Sequence, residues 1–130
     1  RRERHPSVQI FASDLDVGAL ATGRTGRYPR TIEADVSSER LSRFFTLEGD
    51  HYCVRQELRD QVIFAVHGLL KDPPFSRLDM ISCRNLLIYL ERDLQEQACR
   101  TFNYALAPGG YLLLGSSETA DHPAGLFAAV

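Results

Sequence analysis

A strand, an amphipathic helix and a second strand follow one another over residues 81–114, and this succession limits the fold more than any other part of the sequence. Apolar side chains recur every four positions from Leu90 to Leu106, with charged and amide side chains between them, which is typical of a helix with one buried face. Residues 108–110, Pro-Gly-Gly, are expected to stop the helix before an apolar strand at 111–115. Such a βαβ crossover predicts a parallel sheet.

Two further apolar segments extend this α/β pattern towards the N-terminus. Residues 8–13 and 62–66 are rich in β-branched and aromatic side chains, so each is predicted to be a strand, and residues 78–83 begin the crossover. Asp16 is expected to cap a short helix over residues 17–22. Between this helix and residue 62 we expect satellite elements: a loop at 23–29, a helix beginning after Ser37 or Ser38, a hairpin at 47–54 that turns at Gly49-Asp50, and a helical turn at 56–60.

The charge and cysteine content argue against several classes of function. The 15 basic and 17 acidic residues are intermixed and the net charge is −2, so there is no basic stripe for nucleic acid or an anionic membrane. The three cysteines form no C-x-x-C pair, which argues against disulfides and favours a reducing cytoplasm. No apolar run approaches the roughly 20 residues of a membrane span. The four histidines lack metal-ligand spacing and no nucleophile elbow is present, so neither a metal site nor covalent catalysis is predicted.

Residues 18–25 have the spacing of a phosphate-binding P-loop, but we reject this interpretation. Arg24 stands where a P-loop has lysine. The following Gly-Arg-Tyr-Pro, residues 26–29, cannot begin the helix whose N-terminus would face the phosphates.

Polar residues follow the predicted strands, at the edge where open α/β sheets bind ligands. These positions are Asp14, His67-Gly68-Leu69, Arg84-Asn85 and Ser116-Ser117-Glu118. A carboxylate at the position of Asp14 can accept hydrogen bonds from both hydroxyls of a ribose, although it can instead cap the following turn.

Arg84, Asn85 and Tyr89 also leave two interpretations open from the residues alone. Arg84 and Asn85 surface at the end of a buried strand, where polar groups need partners. They could face a ligand, or Arg84 could pair with an acid such as Asp79 while Asn85 ties down the loop. Tyr89 could face the same ligand, or it could be a core aromatic.

The segment ISCRNLLIY, Ile81–Tyr89, resembles the CRN-x-x-I-Y signature of CheR-type chemotaxis methyltransferases, which methylate receptor glutamates with S-adenosylmethionine. The resemblance covers virtually the whole chain, including residues 11–16, 26–28, 69–75 and 108–118. It implies that residues 1–130 are the C-terminal portion of one α/β domain with a partial Rossmann-like, class I methyltransferase fold, a mostly parallel sheet and a small β-hairpin subdomain inserted at about residues 23–60. The sequences of residues 72–75 and 82–90 most resemble those of CheR-like domains in large multidomain signalling proteins, which also carry a methylesterase-like or sensor domain.

The resemblance implies a role for each polar position. Asp14 corresponds to the acid that binds the ribose, Gly68 and Leu69 to the pair beside the adenine, and Arg84 and Asn85 to the pair near the amino-acid end of the cofactor. Tyr89 corresponds to a tyrosine beside the transferred methyl group, so Tyr89 and Arg84 are the expected catalytic residues. The product would be S-adenosylhomocysteine.

Two departures from the family pattern bear on activity. Gly68 stands where the family usually has asparagine, so a side-chain contact to the cofactor is lost, although the backbone could still serve. The family's Gly-rich loop with its Thr-Gly-Glu-Glu motif lies upstream of the strand at Val8, and residues 126–130 end where a closing hairpin is expected. The chain is therefore expected to be a fragment that is inactive alone.

Three functions compete. The first is S-adenosylmethionine-dependent methylation of glutamate side chains in a chemoreceptor-like protein, by an intact cytoplasmic parent with other signalling domains. The second is a non-catalytic module that senses the cofactor or its product, or that binds a protein, which Gly68 favours. The third, a dinucleotide-dependent oxidoreductase, is disfavoured because no G-x-G-x-x-G precedes the strand at Asp14.

Overall fold

The computed structural model describes residues 6–121 and 124–130, so that His5 and His122 lie outside the described residues. The chain divides into two compact units, residues 1–67 and residues 68–130. No helix within the described ranges is long and apolar enough to cross a membrane.

The first unit combines a parallel strand pair with a small antiparallel sheet. Its elements are β1 (Ile10–Asp14), α1 (Val17–Thr25), β2 (Arg27–Pro29), a 3-10 helix (Arg30–Ala34), α2 (Ser38–Phe44), β3 (Phe45–Glu48), β4 (His51–Val54), α3 (Gln56–Arg59) and β5 (Val62–Val66). β1 and β5 pair in parallel, with Asp14 opposite Val66. The other three strands form an antiparallel sheet in the order β2-β4-β3. The strands expected at residues 8–13 and 62–66 are therefore confirmed, the first with its bounds shifted by one or two residues.

α1 begins and ends as its local sequence requires. The Asp16 carboxylate accepts a hydrogen bond from the Ala19 N–H at 3.1 Å, which confirms the predicted cap. The helix runs three residues further than expected and ends at Gly26, whose φ of 61° is left-handed. The P-loop-like residues are thus helical, and the Arg24 guanidinium donates to the Phe64 carbonyl oxygen at 3.0 Å. Arg24 therefore ties α1 to β5 and does not face an open phosphate loop.

The predictions for the antiparallel region were right except at its edge. Ser37 caps α2 by accepting from the Arg40 N–H at 3.3 Å, and the hairpin turns at Gly49, whose φ is 62°. The loop predicted at residues 23–29 was wrong, because Arg27–Pro29 is an edge strand paired with β4. A segment of only three residues that includes a proline does not by itself predict a strand. The segment is a strand because it pairs with β4.

The second unit is a βαβ crossover, as predicted. It consists of β6 (Leu78–Cys83), a 3-10 helix (Leu87–Tyr89), α4 (Arg92–Ala105) and β7 (Leu106–Leu114), and β6 pairs with β7 in parallel. The buried face of α4 provides Ala98, Cys99 and Phe102, which pack with Leu87 in the core of this unit. The parallel strand pairs and the crossover helix confirm the Rossmann-like α/β class.

The boundary between α4 and β7 was predicted wrongly. The helix ends at Ala105, and Leu106, which was expected on its apolar face, already pairs with Leu78 of β6. The next paired residues are Met80 and Tyr111, so the Pro-Gly-Gly segment forms a bulge within the strand, with Gly109 at a φ of 80°. The helix therefore stops before the proline, and the strand starts before it too.

Candidate functional site

Asp14 occupies the carboxyl end of β1 in the first unit. Its backbone carbonyl accepts from the His67 N–H at 3.1 Å, which continues the parallel pairing one residue past β5. Its Oδ1 accepts from the Asp16 N–H at 3.1 Å, so the carboxylate does cap the turn into α1. Oδ2 accepts no hydrogen bond from the part of the chain that the structure describes, and the residue is exposed. The turn-capping role therefore leaves one carboxylate oxygen available to a ligand.

Arg84 and Asn85 follow β6 in the second unit. Arg84 is exposed and makes no ion pair with any described residue, so the alternative of an Arg84–Asp79 pair is wrong. Asn85 has a left-handed backbone with a φ of 62°, a conformation that asparagine adopts more readily than most residues. The alternative in which Asn85 ties down the loop is correct for its backbone, because its N–H donates to Glu118 Oε1 at 2.6 Å.

The 3-10 helix after Asn85 separates a core residue from an exposed one. Leu87 is 2% exposed and belongs to the core cluster, whereas Tyr89 is 79% exposed. Gln95 of α4 ties this turn down, because its amide donates to the carbonyl oxygens of Leu87 at 2.7 Å and Leu90 at 3.0 Å. Tyr89 is therefore not a core aromatic, and a buried leucine two residues away holds the backbone that presents its ring.

Glu118 is the residue whose importance the sequence did not reveal. Its Oε1 accepts from the N–H groups of Asn85 at 2.6 Å and Gly115 at 2.8 Å, and its Oε2 accepts from the Ile88 N–H at 3.2 Å. Desolvation alone would raise the pKa of this carboxyl, but the hydrogen bonds from backbone N–H groups, that of Asn85 foremost, outweigh it and the pKa is lowered. The carboxylate thus stays ionised and joins the ends of β6 and β7. The signals in the sequence were its place among the polar residues after β7 and its place at the end of the family resemblance over residues 108–118.

Gly115 provides the space for this arrangement. It is buried, and a methyl group in place of its hydrogen would overlap Asn85 Oδ1 and lie 2.8 Å from Glu118 Oε1 and 3.1 Å from the Asn85 nitrogen. The Asn85 side chain, the Glu118 carboxylate and the β7 backbone therefore meet at a position that only glycine fits.

Gly68 and Leu69 both make contacts within the second unit. The buried Gly68 donates its N–H to the Asp72 carboxylate, and its carbonyl oxygen accepts from the N–H groups of Lys71 and Asp72. Leu69 packs against the core cluster. The Gly68 N–H is thus engaged within its own turn, so this position offers a ligand neither a side chain nor a free backbone donor.

The described residues contain no group of three or more histidine, cysteine, aspartate or glutamate side chains that could hold a metal ion. Cys53, Cys83 and Cys99 are free thiols. Burial raises the pKa of the Cys83 thiol to about 11, with the Glu118 charge as a second cause, so this thiol stays protonated and unreactive near neutral pH. Cys83 is the last residue of β6 and packs against the core cluster, which is consistent with a structural role.

Comparison with known proteins agrees with the resemblance found in the sequence. The model of the family described as "CheR methyltransferase, SAM binding domain" matches residues 1–130. The chain is 46% identical over 118 residues to an uncharacterized 104.1 kDa protein in the hypE 3' region of Rhodobacter capsulatus, covering 91% of this chain and 12% of that protein.

Chemotaxis methyltransferases are also similar to this chain. It is 34% identical over 118 residues to chemotaxis protein methyltransferase 1 of Pseudomonas aeruginosa, covering 88% of this chain and 43% of the relative. It is 36% identical over 123 residues to the chemotaxis protein methyltransferase of Escherichia coli, covering 88% of this chain and 42% of the relative. The chain thus spans less than half the length of these relatives.

Proposed function

This chain belongs to the CheR methyltransferase family, as part of its S-adenosylmethionine-binding domain, and from this premise we propose that the full-length protein methylates glutamate side chains. The substrate we propose is a chemoreceptor-like protein in the cytoplasm. The similarity to a 104.1 kDa protein, of which the chain covers only 12%, supports a polypeptide that carries other signalling domains as well.

The residues present are suited to the polar parts of S-adenosylmethionine. In the first unit, Asp14 has an exposed carboxylate with one uncommitted oxygen, which is what a ribose hydroxyl requires. In the second unit, the exposed Arg84 guanidinium has no acidic partner among the described residues and can bind the carboxylate of the amino-acid end, with Asn85 as the next residue in the chain. Leu69 would lie against the adenine. Gly68 fits least well, because its N–H already donates to Asp72.

The proposed chemistry requires positioning more than proton transfer. When bound, S-adenosylmethionine supplies a methyl group activated by a positively charged sulfur. A glutamate carboxylate is ionised at pH 7, so it is already nucleophilic and no general base is needed. Tyr89, exposed on a turn held by the buried Leu87, would align the substrate carboxylate beside Arg84, and alignment alone can account for much of the rate enhancement.

Transfer of radioactive methyl groups tests the proposed function directly. The full-length protein, given S-adenosylmethionine labelled on its methyl group and the cytoplasmic part of a chemoreceptor, is expected to label the receptor. The label should be released by alkali as methanol, because glutamate methyl esters are hydrolysed by base whereas methylated amines are not. Labelling that survives alkali would contradict glutamate as the substrate.

Replacing Asp14 by asparagine is expected to weaken S-adenosylhomocysteine binding by roughly 10- to 100-fold, corresponding to ~1.5–3 kcal/mol for a charge-assisted hydrogen bond. Asparagine retains the oxygen that accepts from the Asp16 N–H, so this variant separates the ribose role from turn capping. Titration calorimetry on the full-length protein measures the change.

Asp16→Asn is the matched control, since Asp16 lies two residues away and caps α1. We expect this variant to bind S-adenosylhomocysteine with the affinity of the unmodified protein. Equal affinities for Asp14→Asn and the unmodified protein would reject the ribose assignment.

Gly68 supports a second candidate function, a non-catalytic module that binds the cofactor or its product within a signalling protein. Gly68 lacks the asparagine side chain that the family resemblance leads us to expect at this position, and its N–H donates to the Asp72 carboxylate. The two candidates differ in one observation. Tight binding of S-adenosylhomocysteine with no methyl transfer to any chemoreceptor fragment would favour the non-catalytic module.

A further inference from the structure

We propose that Glu118 is a positioning residue for the cofactor site, which it shapes by holding the backbone that presents Arg84, Asn85 and Tyr89. This inference rests on the proposed function, because it assigns Glu118 a role in the same site. Glu118 is expected to act through backbone N–H groups and not through contact with the cofactor or substrate.

The Glu118 hydrogen bonds join two strand ends, and Glu118 itself lies 33 residues after Asn85 in sequence. β6 and β7 are parallel neighbours, with Cys83 opposite Leu114, so Gly115 lies one residue and Asn85 two residues beyond the last pair. Both direct their N–H groups to Glu118 Oε1, and Ile88 donates to Oε2. A single carboxylate therefore constrains both ends of the segment from Asn85 to Ile88.

This segment needs an external acceptor. The left-handed backbone of Asn85 leaves the strand, so its N–H no longer faces a ladder partner. Leu87 anchors the middle of the segment in the core, and Glu118 holds the residues on either side of it. Arg84 directly precedes this segment and Tyr89 directly follows it, and both residues are exposed, whereas the Oδ1 of Asn85 lies against Gly115. Glu118 therefore fixes the backbone on which Arg84 and Tyr89 are exposed, and the Asn85 side chain lies at the same place, next to Gly115.

Other roles for Glu118 agree less well with its contacts. As a general base it would be unnecessary, because the substrate carboxylate is already ionised. Its oxygens already accept three hydrogen bonds from the backbone, so little capacity remains for a ligand. No metal-binding group of acidic, cysteine or histidine side chains exists among the described residues.

Three variants of the full-length protein test the proposal: Glu118→Ala, Glu118→Gln and Asn85→Gly. We expect Glu118→Ala to weaken S-adenosylhomocysteine binding by roughly tenfold or more, the equivalent of one charge-assisted hydrogen bond. Glu118→Gln should recover part of the affinity, because its amide oxygen can still accept from Asn85 and Gly115 while its amino group cannot accept from Ile88. Glycine at position 85 keeps the left-handed backbone available and removes only the side chain.

A double-mutant cycle provides the readout that a merely structural role would not produce. If Glu118 acts through Asn85, the affinity lost in Glu118→Ala should be smaller when Asn85 is already glycine, so the two effects will not add. Glu96→Gln on α4 is the control for removing a carboxylate from the same unit, and its affinity should be unchanged. Hydrogen exchange at the N–H groups of Asn85, Ile88 and Gly115 should accelerate in Glu118→Ala even without ligand.

The outcomes separate this proposal from the proposed function. If the unmodified full-length protein does not bind S-adenosylhomocysteine, the proposed function fails and the positioning role fails with it, whatever the exchange rates show. If the unmodified protein binds, then equal affinity for Glu118→Ala would overturn the positioning role alone, and fully additive losses in the cycle would overturn the part of that role that acts through the Asn85 side chain. Global unfolding of Glu118→Ala does not block the test, since the same comparison applies to Glu118→Gln.

Discussion

Replacing Phe102 by alanine is expected to destabilise the second unit by about 3–5 kcal/mol, the usual cost of truncating a buried phenylalanine. Phe102 is 4% exposed and lies in the core cluster with Leu87, Ala98 and Cys99. Its removal leaves a cavity between α4 and the residues that pack on it. Because a domain is typically stable by only about 5–15 kcal/mol, this loss should be visible as partial unfolding at physiological temperature.

Hydrogen exchange along α4 is the best measurement, because it reports on the second unit even if the first unfolds separately. Tyr104→Ala on the same helix is the matched control, since Tyr104 is 70% exposed and its truncation should change stability by no more than about 0.5 kcal/mol. Similar exchange in the two variants would show that the core cluster does not stabilise the unit as the packing indicates.

Gly115→Ala is expected to disturb both stability and cofactor binding. The added methyl group would overlap Asn85 Oδ1 and crowd both Glu118 Oε1 and the Asn85 backbone, so at least one of these groups must move. Overpacking of this kind costs about 1–3 kcal/mol, and displacement of Asn85 or Glu118 also removes hydrogen bonds. We expect S-adenosylhomocysteine affinity to fall by at least about tenfold, the equivalent of one such bond, in titration calorimetry.

Gly109→Ala controls for the chemical change, since Gly109 lies in β7, which ends one residue before Gly115. Gly109 has no atom within 4 Å of the position that the new methyl group would take, but its φ of 80° disfavours alanine. This variant should therefore lose stability through its backbone while retaining the affinity of the unmodified protein. If Gly109→Ala and Gly115→Ala weaken binding equally, the effect of Gly115 is not specific to the Asn85–Glu118 contact.

The elements with local causes were predictable. The four-residue spacing of α4, the caps at Asp16 and Ser37, and the Gly49-Asp50 turn each depend on residues within about one helical turn or one hairpin loop of each other. The family resemblance likewise came from contiguous residues, Ile81–Tyr89 above all, and the match of the family model to residues 1–130 confirms it.

The predictions that failed depended on partners elsewhere in the chain. Arg27–Pro29 is a strand only because β4 lies beside it, and Leu106 leaves the helical face because it pairs with Leu78. The structure likewise removed two open alternatives, the Arg84–Asp79 ion pair and a buried Tyr89. Spacing along the chain cannot distinguish these cases, since the same residues are compatible with either arrangement.

The sequence by itself determined the family, the βαβ crossover and the order of polar residues after the strands. Only the tertiary structure decided how the end of β6 is held, through a glutamate 33 residues after Asn85 whose carboxylate accepts hydrogen bonds from N–H groups after two strands. The reason is physical: periodicity and capping are encoded over a few neighbouring residues, whereas a hydrogen bond between strand ends exists only once the sheet has brought them together. Arg84, Asn85 and Tyr89 are thus readable as a motif, but their presentation depends on Leu87, Gly115 and Glu118.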